Sequence, residues 1–172
     1  IINFPIKLKH KIIVINPLVR KDFYNLNSSS IKKDISKILI VGGSQGASIF
    51  NKFFNQAIKN INDFYPLKIF HQTNQENIIT LKEFYSKYQI ENDVFTYDEN
   101  LLRLIQNTDL CVTRAGASTL SEFVVLSVPF LAIPLPYSKD NHQLENAMYY
   151  KHKGYCWVIN QNELNQKKIE DF

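Results

Sequence analysis

The most chemically suggestive stretch of the sequence is a glycine-rich turn at residues 42–47, which read Gly-Gly-Ser-Gln-Gly-Ala. An apolar run precedes it and a helical pattern follows, so the backbone N–H groups of the turn and of the helix start would converge on one point. Such a turn suits a phosphate, with Ser44 adding a hydroxyl and Gln45 an amide beside Gly46. The same pattern is also typical of an ordinary strand-to-helix turn. It lacks the lysine of a P-loop, and its spacing differs from the dinucleotide-binding fingerprint.

A second glycine-containing junction lies at residues 113–122, which read TRAGASTLSE. Ser118 or Thr119 is a candidate cap for the helix that begins here, and Glu122 follows one turn later. The helix dipole alone would stabilise a carboxylate near the helix start. The alternative is functional, because a carboxylate in this position can accept two hydrogen bonds from a vicinal diol such as a ribose.

A third polar stretch, SKDNHQLENA, occupies residues 138–147. Asp140 or Asn141 is a natural N-cap for a helix there. The side chains of His142, Gln143 and Asn146 would then lie within about a turn and a quarter of the helix start, where amides and a neutral imidazole suit sugar hydroxyls. A polar, solvated first turn explains the same residues without any ligand.

Hydrophobic patterning predicts strands that alternate with helices along the chain. The predicted strands cover residues 11–15, 37–41, 66–71, 94–97, 109–113, 129–133 and 155–159, and the predicted helices cover residues 47–60, 75–88, 101–106, 117–126, 141–153 and 163–172. This alternation indicates an α/β fold with a Rossmann-like parallel sheet and helices on both faces. Residues 1–36 would form an N-terminal segment with a first strand and a linker, ahead of one domain at residues 37–172.

Polar motifs fall just after four of these strands, at residues 42–46, 97–98, 114–118 and 137–143. In open α/β sheets, ligands bind beyond the carboxyl ends of the strands. The agreement of four loops therefore favours a ligand site at that edge over four unrelated turns.

Composition sets broad limits on function. Of the 172 residues 45% are hydrophobic, which favours a globular chain. The net charge of +4 is too small an excess of positive charge to indicate nucleic-acid binding. No run is long enough to span a membrane, no signal peptide is visible, and the chain opens without a methionine. Cys111 lies in an apolar strand pattern and is predicted to be a core residue. No Cys or His cluster predicts a metal site. This use of cysteine fits a reducing, cytosolic compartment.

Four motifs in order resemble the donor-binding half of the MurG family of peptidoglycan transferases. They are VGGSQGASIFN at residues 41–51, HQT at 71–73, TRAGASTLSE at 113–122 and PLPYSKDNHQLENA at 134–147. The resemblance implies the C-terminal half of a GT-B glycosyltransferase. It implies inverting, metal-independent transfer of N-acetylglucosamine from UDP-GlcNAc to undecaprenyl-diphospho-muramoyl-pentapeptide, that is, lipid I to lipid II.

The resemblance also assigns roles to individual residues. Ser44, Gln45 and Gly46 would bind donor phosphate, and Glu122 would take the ribose hydroxyls. Arg20 would face the diphosphate, and Asp98 lies in the loop whose backbone would read uracil. The remaining assignments are Ala117, Ser118 and Thr119 along the nucleotide, and His142, Gln143 and Asn146 at the sugar and diphosphate end. Around Arg20 the match is imperfect, since Ile15 stands where the family has glycine and Leu18 is an extra residue.

The family's N-terminal acceptor domain has no counterpart in these residues, so the catalytic base is unassigned and we expect the chain alone to be inactive. The acceptor would come through an N-terminal domain or partner chain, at the inner face of the cytoplasmic membrane, with no cofactor and no metal. Two alternatives remain open. One is the donor subunit of a split GlcNAc transferase of lipid-linked oligosaccharide synthesis, and the other is a non-catalytic nucleotide-sugar-binding module.

Overall fold

The computed structural model describes residues 5–13, 15, 18–24, 35–42, 48–98 and 101–172. Within these ranges six strands and seven α-helices follow one another, joined by four short 3-10 turns. The strands are β1 (Lys37–Val41), β2 (Lys68–Gln72), β3 (Glu91–Phe95), β4 (Leu110–Thr113), β5 (Phe130–Ala132) and β6 (Cys156–Val158). The helices are α1 (Lys21–Tyr24), α2 (Ser48–Asn62), α3 (Ile78–Lys87), α4 (Leu101–Gln106), α5 (Ala117–Val125), α6 (His142–His152) and α7 (Gln166–Glu170).

All six described strands form one parallel sheet in the order β3-β2-β1-β4-β5-β6. The register places Ile38 of β1 between Ile69 of β2 and Leu110 of β4. The chain winds outward in one direction from β1 to β3, then returns to the other side of β1 and winds the opposite way. This reversal leaves a crevice between the carboxyl ends of β1 and β4, where open sheets of this kind bind ligands.

Hydrophobic side chains cover both faces of the sheet. Leu39 and Ile40 of β1 are both fully buried, and they point to opposite faces because successive residues of a strand alternate. Helices α2, α3 and α7 pack on the face of Ile40, and helices α1, α4, α5 and α6 pack on the face of Leu39. The predicted Rossmann-like α/β fold is thereby confirmed, and burial on both faces explains the apolar character of the central strands.

The strand predicted at residues 11–15 is wrong. Lys11 ends the 3-10 turn Ile6–Lys11, and Ile12, Ile13 and Ile15 belong to no strand. Ile13 and Ile15 are exposed, and the neighbours of β1 are already β2 and β4, so this run has no place beside it. The sheet as described therefore begins at β1.

Several other element boundaries differ from the prediction, notably those of β3 and of the last helix. Strand β3 covers Glu91–Phe95 rather than residues 94–97, because it is an edge strand with polar, exposed Glu91 and Asp93 and so lacks a continuous apolar pattern. The last helix begins at Gln166, where the side chain of Asn165 accepts the backbone N–H of Lys168 at 2.9 Å and caps the first turn.

The predicted end of α6 at Gly154 is confirmed. Gly154 has φ +78°, a left-handed conformation that glycine adopts without a Cβ penalty. Its N–H bonds to the carbonyl of Lys151, and the N–H of Tyr155 bonds to the carbonyl of Tyr150. These paired bonds form a Schellman motif, which turns the chain directly into β6.

Candidate functional site

The candidate site lies where β1 and β4 diverge. Buried Gly42 follows β1, and residues 114–116 connect β4 to the start of α5. Both motifs that the sequence singled out for phosphate and ribose thus follow the two strands that flank the crevice. Ser44, Gln45 and Gly46 lie outside the described residues, so their assignment to phosphate stays a prediction.

Helix α5 begins without a side-chain cap. Its N-cap is Gly116, with φ −69° and ψ 133°, and the predicted capping by Ser118 or Thr119 is wrong. Both residues lie inside the first turn, where their own backbone N–H groups are among the donors that lack an intrahelical acceptor. Ala117 and Ser118 are exposed, so the open start of the helix is accessible to a ligand carrying acceptor oxygens.

Glu122 lies in the second turn of α5 and is 7% exposed. The stabilising effect of the helix dipole on a carboxylate fades beyond the first turn, and the first turn of α5 holds no acidic residue. The dipole therefore does not explain the presence of a carboxylate at Glu122. Its Oε1 accepts a hydrogen bond from Arg20 Nε at 3.1 Å. Burial raises the pKa of Glu122, and the charge and hydrogen bond of Arg20 oppose that rise.

Arg20 reaches this carboxylate from a segment 102 residues earlier in the chain. Its guanidinium also lies over the ring of Phe23, 4.9 Å from the centroid, and Phe23 packs into the core beside α5. The structure therefore brings together two residues, Arg20 and Glu122, that the family resemblance assigned to adjacent parts of one nucleotide, the diphosphate and the ribose.

The side chains of Gln143 and Asn146 in α6 both form hydrogen bonds with the backbone of Ala115. The side-chain oxygen of Gln143 accepts the N–H groups of Ala115 at 3.2 Å and Leu135 at 3.0 Å. The amide of Asn146 donates to the carbonyl of Ala115 at 3.1 Å. These bonds hold the start of α6 against the β4–α5 junction, and their proposed contact with a sugar stays a prediction.

The turn before α6 has an uncommon backbone. Tyr137, Asp140 and Asn141 all have positive φ, at 62°, 53° and 53°, although none is glycine. Asn141 occupies the predicted N-cap position but its side chain makes no capping bond, and the Nδ1 of exposed His142 lies 2.7 Å from the carbonyl oxygen of Lys139. Left-handed conformations at non-glycine residues cost free energy and cluster at binding sites.

Arg114 is a structural residue of the site that the motif analysis did not assign. Its Nη1 donates to the carbonyl of Ile133 at 3.1 Å, its Nη2 donates to Gln161 Oε1 at 2.7 Å, and its guanidinium lies 5.0 Å from the ring centroid of Phe50. It thereby ties the β4–α5 junction to α2, to the end of β5 and to the turn before α7. The signal available in the sequence was the choice of arginine in a chain where lysine predominates.

Asp98 lies beyond the carboxyl end of β3, and β3 is two strands away from β1 in the sheet. It is half-buried, next to exposed Tyr97. The loop is thus on the same edge of the sheet as the crevice, as predicted, and its contact with a base stays a prediction.

Among the described residues, no group of three or more His, Cys, Asp or Glu side chains is placed to hold a metal ion. Cys111 and Cys156 are both free and buried, which confirms the core assignment of Cys111. Within the same described ranges, no helix is long and apolar enough to cross a membrane.

The sheet order and the polar residues at the carboxyl ends of its central strands define a doubly wound α/β domain of the Rossmann type. Residues 37–171 match the model of the glycosyltransferase family 28 C-terminal domain, and the chain belongs to this family. The resemblance to MurG inferred from the four motifs is confirmed by relatives in sequence and structure.

A Pelagibacter ubique (strain HTCC1062) protein named UDP-N-acetylglucosamine--N-acetylmuramyl-(pentapeptide) pyrophosphoryl-undecaprenol N-acetylglucosamine transferase is 46% identical, over 97% of this chain and 47% of its own length. A Rickettsia bellii (strain RML369-C) protein of the same name is 32% identical, over 98% of this chain and 49% of its own length. The crystal structure of Acinetobacter baumannii MurG superposes with a TM-score of 0.75 at 28% identity, covering 84% of this chain and 44% of that one. The chain thus spans about half the length of the curated relatives it matches.

Proposed function

We propose that this chain forms the donor-binding half of an inverting transferase that moves N-acetylglucosamine from UDP-GlcNAc to undecaprenyl-diphospho-muramoyl-pentapeptide. Membership of the glycosyltransferase family 28 and the names of its relatives support this reaction. The observation that carries the proposal is the nearly buried carboxylate of Glu122, paired with the guanidinium of Arg20 beside the open start of α5.

In this proposal each part of the donor has a chemical counterpart among the residues of the chain. The ribose hydroxyls donate to Glu122, which as a carboxylate only accepts hydrogen bonds. The diphosphate receives N–H donors from the glycine turn with Ser44, Gln45 and Gly46, and the planar fork of Arg20.

The other donor contacts are proposed for residues that follow the carboxyl ends of the strands. Ala117, Ser118 and Thr119 line the nucleotide along the first turn of α5, and the loop of Asp98 reads the base. His142, Gln143 and Asn146 face the sugar. Gln143 already uses its carbonyl oxygen on two backbone N–H groups, so its amide nitrogen remains the group that donates to a sugar hydroxyl.

The acceptor side of the reaction belongs to the rest of the enzyme in this proposal. Transfer requires a base that takes the proton of the acceptor hydroxyl and a surface that holds that hydroxyl in line with the anomeric carbon. We propose that an N-terminal domain or partner chain supplies both, at the inner face of the cytoplasmic membrane.

Calorimetric titration of UDP and UDP-GlcNAc, with EDTA present, tests the donor site. We expect both ligands to bind, and we expect Glu122→Ala to weaken both by roughly 1.5–3 kcal/mol, since a charged acceptor for the ribose is lost. Glu83→Ala is the matched control, because it removes an exposed carboxylate from α3 and changes the net charge equally.

Thermal unfolding of the same variants separates ligand binding from structure. If Glu122 serves only as the structural partner of Arg20, Glu122→Ala will lower stability and leave UDP affinity at the level of Glu83→Ala. That result, or binding that requires a divalent metal, would contradict the proposed donor site.

A further inference from the structure

Arg20 and Glu122, for which we propose contacts with the diphosphate and the ribose, are hydrogen-bonded to each other. The distance from Arg20 Nε to Glu122 Oε1 is 3.1 Å. With Arg20 in place only 9% of the Glu122 side chain is exposed, so a ribose that reaches both carboxylate oxygens competes with a charge-assisted hydrogen bond that is already formed. The energetic consequence depends on what Arg20 gains in return.

The backbone of Arg20 is anchored, whereas most of its side chain is exposed. The N–H of Phe23 bonds to the carbonyl of Arg20 at 3.1 Å, and Phe23 itself is 1% exposed. The side chain of Arg20 is nevertheless 59% exposed. The guanidinium can therefore turn away from Glu122 toward a ligand without unpacking the core.

Glu122 has the opposite character. Its side chain is only 9% exposed, on a helix whose neighbours on either side of it, Ser121 and Phe123, are buried. A carboxylate in such a place is destabilised when its partner leaves, unless other donors replace that partner. The two hydroxyls of a ribose are such donors.

We propose that the Arg20–Glu122 pair makes this site select nucleoside diphosphates over nucleosides. This inference rests on the proposed function. When UDP binds, Arg20 exchanges Glu122 for the diphosphate, and the ribose hydroxyls take its place on the carboxylate. A nucleoside such as uridine offers the ribose but no acceptor for Arg20, so it must displace the guanidinium without compensation.

The two halves of this exchange give Arg20 opposite effects on two ligands. Removing Arg20 deprives UDP of a phosphate partner and weakens its binding, whereas it frees Glu122 for uridine and strengthens uridine binding. A residue that only contacts phosphate would leave uridine affinity unchanged. A residue that only supports the fold would weaken both ligands.

Calorimetry on the wild-type chain, Arg20→Ala and Lys21→Ala tests this inference with uridine and UDP as ligands. Lys21→Ala is the matched control, since it removes a neighbouring exposed cation from the same segment. For Arg20→Ala we expect UDP affinity to fall about tenfold or more and uridine affinity to rise about three- to tenfold. For Lys21→Ala we expect both affinities to stay within about twofold of wild type.

The outcomes separate the inference from the proposed function. If UDP binds wild type and Arg20→Ala leaves uridine affinity unchanged or lower, the exchange is wrong while the donor site stands. If wild type binds no UDP, both fail. As a second measurement, a double-mutant cycle of Arg20→Ala and Glu122→Gln in urea unfolding should show coupling without ligand and none at saturating UDP; coupling that persists with UDP bound would also overturn the exchange.

Discussion

The side-chain oxygen of Gln143 accepts the backbone N–H of Ala115, 3.2 Å away, and so ties the start of α6 to the junction between β4 and α5. Ala115 is fully buried, so no solvent replaces this acceptor when it is removed. The amide of Gln143, together with that of Asn146, thus holds together the two segments that carry the proposed sugar and nucleotide contacts.

Gln143→Leu should therefore destabilise the domain by about 1–3 kcal/mol, because it leaves a buried backbone donor unpaired. Urea unfolding monitored by circular dichroism measures this change. Glu145→Leu is the control, since it makes a similar polar-to-apolar change at an exposed position of the same helix, where we expect less than about 0.5 kcal/mol. Equal effects of the two substitutions would contradict a structural role for the Gln143 oxygen.

Gly116 is expected to matter for binding rather than for folding. Its φ of −69° suits any residue, and an added Cβ would meet nothing nearer than Thr119 Oγ1 at 3.9 Å. Gly116→Ala should change stability by less than about 1 kcal/mol, because the gain from restricting the unfolded chain is opposed by the poor N-cap preference of alanine. If the nucleotide lies against this N-cap, UDP affinity should fall about tenfold, as measured by calorimetry.

Gly154→Ala provides the reverse case. Gly154 has φ +78°, so alanine there should cost about 1–2 kcal/mol of stability. Its place at the end of α6, opposite the crevice, should leave UDP affinity unchanged. For the Gly116→Ala variant, UDP affinity equal to that of wild type would contradict a contact between the nucleotide and the N-cap of α5.

Arg114→Lys should destabilise the domain although it keeps the charge. Lysine cannot reproduce the planar fork that bonds the Ile133 carbonyl and Gln161 together, nor stack on Phe50 in the same way. We expect a loss of about 1–3 kcal/mol in urea unfolding. Arg103→Lys, at an exposed position of α4, is the matched control and should change stability little; a comparable loss there would remove the special role of Arg114.

The buried imidazole of His71 should make stability depend on pH. His71 is fully buried on β2, its Nδ1 lies 2.8 Å from the hydroxyl oxygen of Tyr85, and burial lowers the pKa of His71 to about 3 from an ordinary value of 6.5. As pH falls, the unfolded chain takes up a proton at this position and the folded chain does not. Stability should therefore decrease by about 1 kcal/mol between about pH 7.5 and about pH 5.5.

Urea unfolding at several pH values measures this slope. In His71→Gln the slope should flatten, whatever the variant does to stability at neutral pH. His152→Gln is the control, because it removes an exposed imidazole from the end of α6 and should preserve the slope. A slope that survives in His71→Gln would assign the pH dependence to other groups.

The sequence by itself determined the class of fold and the edge of the sheet that carries the site. Apolar runs that alternate with amphipathic stretches dictate strands followed by helices, and the short connections between them allow only parallel pairing through crossovers. Because each polar motif follows a strand, the motifs had to gather at the carboxyl edge. The sequence pattern was misleading where burial is one-sided, as at edge strand β3, or where side chains are exposed, as at Ile13 and Ile15.

Tertiary structure alone decided which of these residues meet. The placement of β1 between β2 and β4 sets the position of the crevice, and the approach of Arg20 to Glu122 joins residues 102 positions apart. The same holds for Arg114 with Phe50 and Gln161, and for Gln143 with Ala115. Local patterns record how buried a segment is and which elements it forms, whereas partners across the chain depend on strand order and helix packing, which only the assembled fold supplies.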